Sequence, residues 1–324
     1  MTVPVATFQT HQAVGNREDL TDVIYDISPM EFPFMSRAAK VKAKNTVHEW
    51  QTDALAAPAA NAHIEGDDST ASTADPTVRL NNKTQIFKKT ISVSATQDAM
   101  DPAGRDRDSA YQLMKRGKEI KRDIERALTQ NQGSSAGSAS VARTLASTES
   151  WIFTNRTSKG TGTGQTTYGF SSGNVAAPFD STAASSFTEN DLKAMIQAAW
   201  SSGGMPSLVL VGPNAKKKIS GFAGIATKYT ETGSTAKTTK IIGGADVYVS
   251  DFGEHQVVPS RFCRDQTVQL LDMDYWAVAS LRGITKEKLA KTGDSDKWHI
   301  VTELTLESRN QAANSKIADV DGTL

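Results

Sequence analysis

Near the start of the chain Leu20, Val23, Ile24 and Ile27 recur at spacings of three and four, an apolar stripe that predicts a short amphipathic helix. The helix is expected to begin near Asn16, with Glu18 and Asp19 in the first turn where acids suit the helix dipole. Ser28-Pro29 ends it, because a proline ring pushes the preceding residue out of the α region. A second apolar run follows, Met30, Phe32, Phe34 and Met35, broken by Pro33. Two readings of this segment compete: a strap on the chain's own core, or an arm meant for another chain. Residues 41–50 mix β-branched and polar side chains like an exposed strand. Residues 78–94 are the expected partner, with Ile91, Val93 and Ala95 alternating with Ser92 and Ser94. The stretch between them, AAPAANAHIEGDDSTASTADP, is small and polar, so the hairpin cannot bury itself and needs a surface to rest on.

Farther along, Leu113, Gly117, Ile120, Ile124 and Ala127-Leu128 draw one thin apolar line through a helix over about 106–132. Charge on its other faces describes a helix lying across a sheet, with Glu119/Asp123 and Arg122/Arg126 spaced for side-chain pairs. Residues 133–187, rich in Gly, Ser, Thr and Ala, read as loop with short strands around Trp151. A compact second unit follows. The sequence SFTE has capping-box spacing, Ser186 as cap and Glu189 reaching back, before a helix whose inner face is Leu192, Met195, Ile196, Ala199 and Trp200. Gly203-Gly204 stops that helix, SLVLVG reads as a buried strand, NAKKKISGF as a second helix, and GADVYVS and TVQLL as further strands. At the end, Ile300, Thr302, Leu304 and Leu306 alternate with Val301, Glu303, Thr305 and Glu307 in long antiparallel strands, and KTGDS at 291–295 is turn chemistry.

At 324 residues the chain holds two domains or one elaborate one. Lys plus Arg and Asp plus Glu are both 36, a balance that argues against a dedicated nucleic-acid binder or electrostatic membrane docking and favours self-association. Cys263 is the single cysteine, which excludes an intrachain disulfide and fits a reducing compartment. No signal-peptide pattern opens the chain and no apolar run is long enough to cross a bilayer, so a soluble cytoplasmic product is expected.

The search for chemistry comes back empty: no catalytic, cofactor-binding or metal-binding residues are expected. GSSAG at 133–137 matches the G-x-S-x-G pattern, but a nucleophile elbow needs a buried strand before the serine and a helix after it, and here the order is helix then Gly/Ser tract. STAK (234–237) and KTG (291–293) mimic penicillin-binding motifs without the Ser-Asp-Asn element between them. GTGTGQTTYG at 160–169 is neither a dinucleotide fingerprint nor a Walker loop. The five histidines (11, 48, 63, 255 and 299) have no metal-ligand spacing. Asp272 and Asp274 read as residues bounding a strand, Lys216 to Lys218 as a solvated helix face, and NRT at 155–157 as a sequon without secretory context.

The order of elements, together with EDLTDVIYDISPMEFPFMSR, GGMPSLVLVGPNAKKKISGF, VYVSDFGEHQVVPSRF, LLDMDYWAVASLRG and EKLAKTGDSDKWHIVTELTLESRNQAANSKIADV, resembles the major capsid proteins of tailed bacteriophages, specifically the family typified by phage SU-ten. The resemblance runs over roughly residues 16–320. It implies an α+β Hong Kong 97-type fold with an N-terminal arm (1–40), an extended β-hairpin loop (41–97), a peripheral domain (98–187) containing a spine helix at 105–132, an axial domain (188–281), and C-terminal strands (282–324) returning to the peripheral domain. It also implies hexamers and pentamers of an icosahedral head enclosing double-stranded DNA, assembled in a bacterial cytoplasm and ending in the virion. Scaffolding, portal and decoration proteins are the candidate partners, with no membrane and no cofactor. The arm and loop are expected to clasp neighbours, with Leu20, Val23, Ile24, Ile27, Phe32 and Phe34 as inter-subunit contacts. The apolar stripe alone offsets less than the backbone entropy of ordering such an arm. Removal of residues 1–37 is accordingly expected to leave a folded subunit that fails to assemble. The alternatives are an encapsulin-like compartment shell, a tail or head-decoration protein, and, from another class, a serine hydrolase using Ser135.

Overall fold

The computed structural model describes residues 31–68, 75–100, 107–160, 168–178, 180–181, 183–222, 246–291 and 293–321. The helix expected around Leu20, Val23, Ile24 and Ile27, the STAK motif and most of the Gly/Thr tract at 160–169 lie outside these residues.

Two larger sheets organise the described residues, in addition to a small ribbon of β6 (Gly169–Ser171) and β7 (Asn174–Ala176). The first has four strands in the order β1 (Ala39–Lys42), β12 (Trp276–Lys288), β13 (Ser295–Ser308) and β4 (Gln85–Ser94). β1 runs parallel to β12, and the other pairings are antiparallel. Across it lies α3 (Asp108–Thr129), which places Ile120, Ile124, Ala127 and Leu128 against Phe87, Ile300 and Leu304. The thin apolar line is therefore the buried side of the helix, shorter than expected by two or three residues at each end. Its charges pair as Arg116 with Glu119 three residues on, and Asp123 with Lys89 of β4 at 2.7 Å.

The second sheet has six strands in the order β5 (Arg156–Ser158), β14 (Ser315–Ala318), β11 (Val268–Leu271), β8 (Leu208–Val211), β10 (Gly253–Pro259) and β9 (Val247–Ser250). β8 is a continuous apolar run because both of its faces are covered. Leu208 and Leu210 point into the core that holds α3, while Val209 and Val211 point into a second core with Leu192 and Ile196 of α5 (Glu189–Ser201) and Ile219 of α6 (Pro213–Ser220). The six-stranded sheet is thus the wall between two cores.

Several sequence expectations move. The hairpin partner of β2 (Val47–Thr52) is β3 (Val78–Lys83) alone; β4 continues the chain but pairs with β13, and Ala95 opens α2 (Ala95–Ala99) rather than extending the strand. Ile91 and Val93 are buried and Ser92 and Ser94 exposed, as their alternation requires. The cap of α5 is Thr188, whose hydroxyl accepts the Asp191 N–H while the Asp191 carboxylate accepts the Thr188 N–H, so the capping box sits two residues later than Ser186/Glu189. Trp200 is not on the inner face: it is 52% exposed and packs on Phe252 with ring centroids 5.2 Å apart. The helix stops at Gly203, whose φ of +83° suits glycine. The boundary drawn at 281/282 cuts through β12, and β14, from the expected returning segment, lies inside the six-stranded sheet.

Candidate assembly surface

The β2–β3 hairpin stands on a polar footing. On β13 the odd-numbered residues Glu303, Thr305 and Glu307 face away from Leu304 and Leu306, yet they are buried. The base of the hairpin covers them. His48 Nε2 lies 2.9 Å from Glu307 Oε2, and this bond, with Arg309, holds the Glu307 carboxyl below its ordinary value. Thr305 donates its hydroxyl proton to Lys83 O at 2.6 Å, and Thr84 donates to Glu303 at 2.7 Å. Asn82 donates to Ala146 O and Leu306 O and accepts from Ala146 N–H at 2.9 Å, satisfying its buried amide. Trp50 donates from its indole to Ser308 O at 2.9 Å while its ring lies 5.4 Å from buried Trp151. Alternation on β13 gave the right two faces, but only the fold shows that the polar face is an anchor.

Past Thr52 and Val78 the footing ends. Every described residue from 53 to 77 is exposed, including Leu55 at 99% and Ile64 at 84%. Two strongly exposed large aliphatic side chains on an extended polar segment are apolar surface without a seat among the described residues. A second projection lies at residues 282–288 of β12, all exposed, with Ile284 half out in solvent.

The apolar run at 30–35 takes both proposed roles apart residue by residue. Pro33 begins α1 (Pro33–Arg37) at its first position, where a missing N–H costs nothing, instead of breaking structure. Its cap residue, Phe32, offers no side-chain acceptor, and the free N–H groups of Phe34 and Met35 are accepted instead by the two carboxylate oxygens of Glu125 on α3, at 2.8 and 2.9 Å. Burial pushes the Glu125 carboxyl up, and these two bonds oppose that shift. Phe34 is 0% exposed and meets Trp276 edge to face at 6.1 Å, so it belongs to this chain's own core and leaves nothing for another copy to touch. Phe32 is half-buried, stacked on Phe262 at 6.4 Å. Phe34 is therefore strap, whereas Phe32 keeps part of its ring accessible, and removing residues 1–37 would take Phe34 out of the core and strand Glu125. The remaining four, Leu20, Val23, Ile24 and Ile27, lie outside the described residues.

The motifs weighed as chemistry resolve into structure. Ser135 sits in an isolated bridge with Thr144, after α3 and before an irregular stretch, and its hydroxyl accepts the Gly137 N–H; there is no strand–serine–helix elbow. Ser250 and His255 approach to 2.7 Å, but the other imidazole nitrogen faces Pro206 O and burial lowers the imidazole pKa, so the pair closes the β9–β10 turn with no carboxylate behind it. Asp272 caps the 3-10 turn at Met273–Tyr275 and accepts the Met205 N–H at 2.9 Å. Asn155 of the sequon donates its amide to Ala198 O, Ser202 Oγ and Ala312 O, which ties down the strand end. Lys216 reaches Asp246 and Val257 O, and Lys218 lies over the Phe187 ring, so the lysine triplet packs more than a solvated face would. Cys263 is buried, which pushes its thiol up and leaves it unreactive. Among the described residues no group of three or more His, Cys, Asp or Glu is placed to hold a metal ion, and no helix is long and apolar enough to cross a membrane.

One buried ionic cluster had no sequence signal. Lys316 of β14, fully buried, donates to the main-chain oxygen of Glu149, whose carboxylate lies 3.4 Å from Arg264 and accepts from Thr267 at 3.0 Å. Arg264 in turn holds Asp180 through two nitrogens at 2.6 and 2.7 Å. Burial lowers the Lys316 pKa to about 8 and raises that of Glu149. The cluster joins β14 to the short helix α4 (Thr148–Trp151), a structural bolt.

An anchored hairpin with a solvated tip, a helix laid over a four-stranded sheet and a second sheet walled by two cores are a known combination. A sequence profile of the SU10 major capsid protein family matches residues 5–321. The chain is 28% identical to the major capsid protein of Escherichia phage Phieco32, over 97% of each sequence. Its fold is similar to the capsid asymmetric unit of cyanophage A-1(L), with a TM-score of 0.69 at 14% identity over 96% of this chain and 98% of that one. It is also similar to the capsid of a native GTA particle (TM-score 0.62, 10% identity, 96% and 97% covered) and to a chain of Gordonia phage Cozz (0.58, 11%, 98% and 96%). The α+β Hong Kong 97-type fold expected from the sequence is the fold present. With a profile match over nearly the whole chain, this protein belongs to the SU10 major capsid protein family.

Proposed function

We propose that copies of this chain assemble into the hexamers and pentamers of an icosahedral phage head that encloses double-stranded DNA, each copy a non-enzymatic building block carried in the virion. The observation that supports this most directly is the hairpin: its base is bolted to β13 by His48, Trp50 and Asn82, while its tip leaves Leu55 and Ile64 in solvent. A rigid footing under an uncovered tip is the design of a reach toward a neighbour. Residues 1–40 would serve as arm only upstream of Phe32. The domains around the shell axes, and scaffolding, portal and decoration proteins as partners, belong to the same proposal.

The test replaces residues 53–77 with Asn-Gly. Thr52 and Val78 are paired directly, so a two-residue type I′ turn closes the hairpin without disturbing its base. Negative-stain microscopy of the wild-type chain is expected to show closed shells or capsomers, and the shortened variant a folded subunit without shells. Normal shells from the variant at normal yield would overturn the tip's role.

A further inference from the structure

We propose that the outward face of α3, carried by Lys115, Arg122 and Arg126 with Arg261 beside them, contacts the phosphate backbone of the enclosed double-stranded DNA and so lines the interior of the shell; this rests on the capsid reading above. The chain has no net charge, so a basic stripe must come from segregation. On α3 that segregation follows from what each acid does. Glu125 is buried under α1, Glu119 is taken by Arg116, Asp123 by Lys89, and Asp108 is buried and accepts from Gln97. The cations opposite the buried line are left over. At 100° per residue Lys115, Arg122 and Arg126 fall on the side away from Ile124, and none of them, nor Arg261, has an acidic partner among the described residues.

Lys115 to Arg126 spans about 16 Å along the helix axis, a rail of cations rather than a point. Beside it a groove of about 500 Å³ runs between α3 and residues 261–262, lined by Lys89, Arg122, Arg126, Arg261 and Phe262 together with Glu119 and Asp123. Arg122 lies 5.8 Å from the centre of the Phe262 ring, and that ring is stacked on Phe32, so one guanidinium rests on a fixed surface. Planar guanidinium groups on a rigid helix match phosphate oxygens. The rival occupant is the hairpin tip of another copy, since residues 53–77 hold Asp53, Glu65, Asp67, Asp68 and Asp75 and no Lys or Arg. That tip also carries Leu55 and Ile64, which need an apolar seat. The groove offers only Phe262, and both faces of that ring are already used. A linear polyphosphate asks for the cations alone. A few such contacts per subunit also give weak, salt-sensitive binding, which suits a wall that confines DNA without pinning it.

The experiment uses the full-length unassembled chain and a fluorescein-labelled 30-base-pair duplex of random sequence, with anisotropy read between 25 and 200 mM salt. Binding is expected at the low end, and the slope of log K against log salt is expected to flatten by about 2.7 in the triple variant Lys115→Gln, Arg122→Gln, Arg126→Gln, at about 0.9 per phosphate contact. A control triple of exposed lysines elsewhere, Lys42→Gln, Lys217→Gln, Lys286→Gln, is expected to leave the slope in place. No duplex binding by the wild type, or equal flattening in the control, would overturn the proposal. So would displacement of the duplex by a peptide of residues 53–77 at matched charge, which would hand the stripe to a neighbour's hairpin. Circular dichroism melting checks that the variants fold. Shell closure, read separately by microscopy, tells the two readings apart: closed shells with an unchanged slope sink the DNA contact alone, whereas a wild-type chain that never closes shells sinks the capsid reading with it.

Discussion

Replacing Phe34 by alanine decides between strap and arm. The ring is wholly enclosed by its own chain, edge-on to Trp276, and its backbone N–H is held by Glu125. Truncating a buried phenylalanine costs about 3–5 kcal/mol in lost transfer energy and residual cavity, of which the aromatic pair accounts for about 0.5–1.5 kcal/mol. With an m-value near 3 kcal/mol per molar urea, the midpoint of the unassembled subunit should fall by about 1–1.7 M. Tryptophan fluorescence is the natural probe, because Trp276 is the neighbour that loses its contact. Phe32→Ala, at a half-buried stacked ring, should cost clearly less, below about 2 kcal/mol. Measurements must be made on dissociated subunits, since assembly would stabilise either variant by mass action. A loss under about 1 kcal/mol for Phe34→Ala, joined to failure of shell closure, would show the opposite: the side chain would then serve another copy. The same logic moves the useful truncation upstream. Removing residues 1–37 should destabilise the subunit, whereas removing residues 1–30 leaves every contact described for Phe32, Phe34 and Glu125 in place.

Three further outcomes follow from the geometry. Gly204→Ala should cost more than about 2 kcal/mol in thermal or urea unfolding, because an added Cβ would fall 2.2 Å from Ala313 O and 2.5 Å from its Cα, main-chain atoms that cannot swing away. Thr188→Ala removes the hydroxyl of the α5 capping box and should cost about 1 kcal/mol, whereas Ser186→Ala should be nearly silent by the same assay. Lys316 has a folded pKa of about 8, below its unfolded value near 10.5, so the native state binds fewer protons than the unfolded one between those limits. Stability should therefore rise with pH across that window, by up to about 1.4 kcal/mol per unit from this group, and Lys316→Met should abolish that part of the rise. A flat difference between wild type and Lys316→Met from pH 8 to 10.5 would contradict the assignment.

The order of residues alone encodes the elements whose periodicity reports their own burial. The line through Ile120, Ile124 and Leu128 made α3 a helix on one sheet, the unbroken apolar run at 208–211 made β8 a strand covered on both faces, and alternation gave β4 and β13 their sides. It also determined that the segment between Thr52 and Val78 cannot bury itself, since no local pattern there offers a core. What it could not supply were partners distant along the chain. Glu125 reads as one more surface charge of α3 until α1, ninety residues earlier in sequence, brings two N–H groups to its carboxylate. Nothing in the alternation of β13 shows that the hairpin base is laid over Glu303, Thr305 and Glu307, and nothing near Lys316 in sequence points to Glu149. Trp200 fell on the apolar side of its helix by spacing and still turned outward, because the core beneath was already filled by Leu192, Ile196 and Ala199. Periodicity encodes which side of an element avoids water, a local quantity. Which polar groups are satisfied, and by what, is a pairwise quantity between segments, fixed once those segments meet in space.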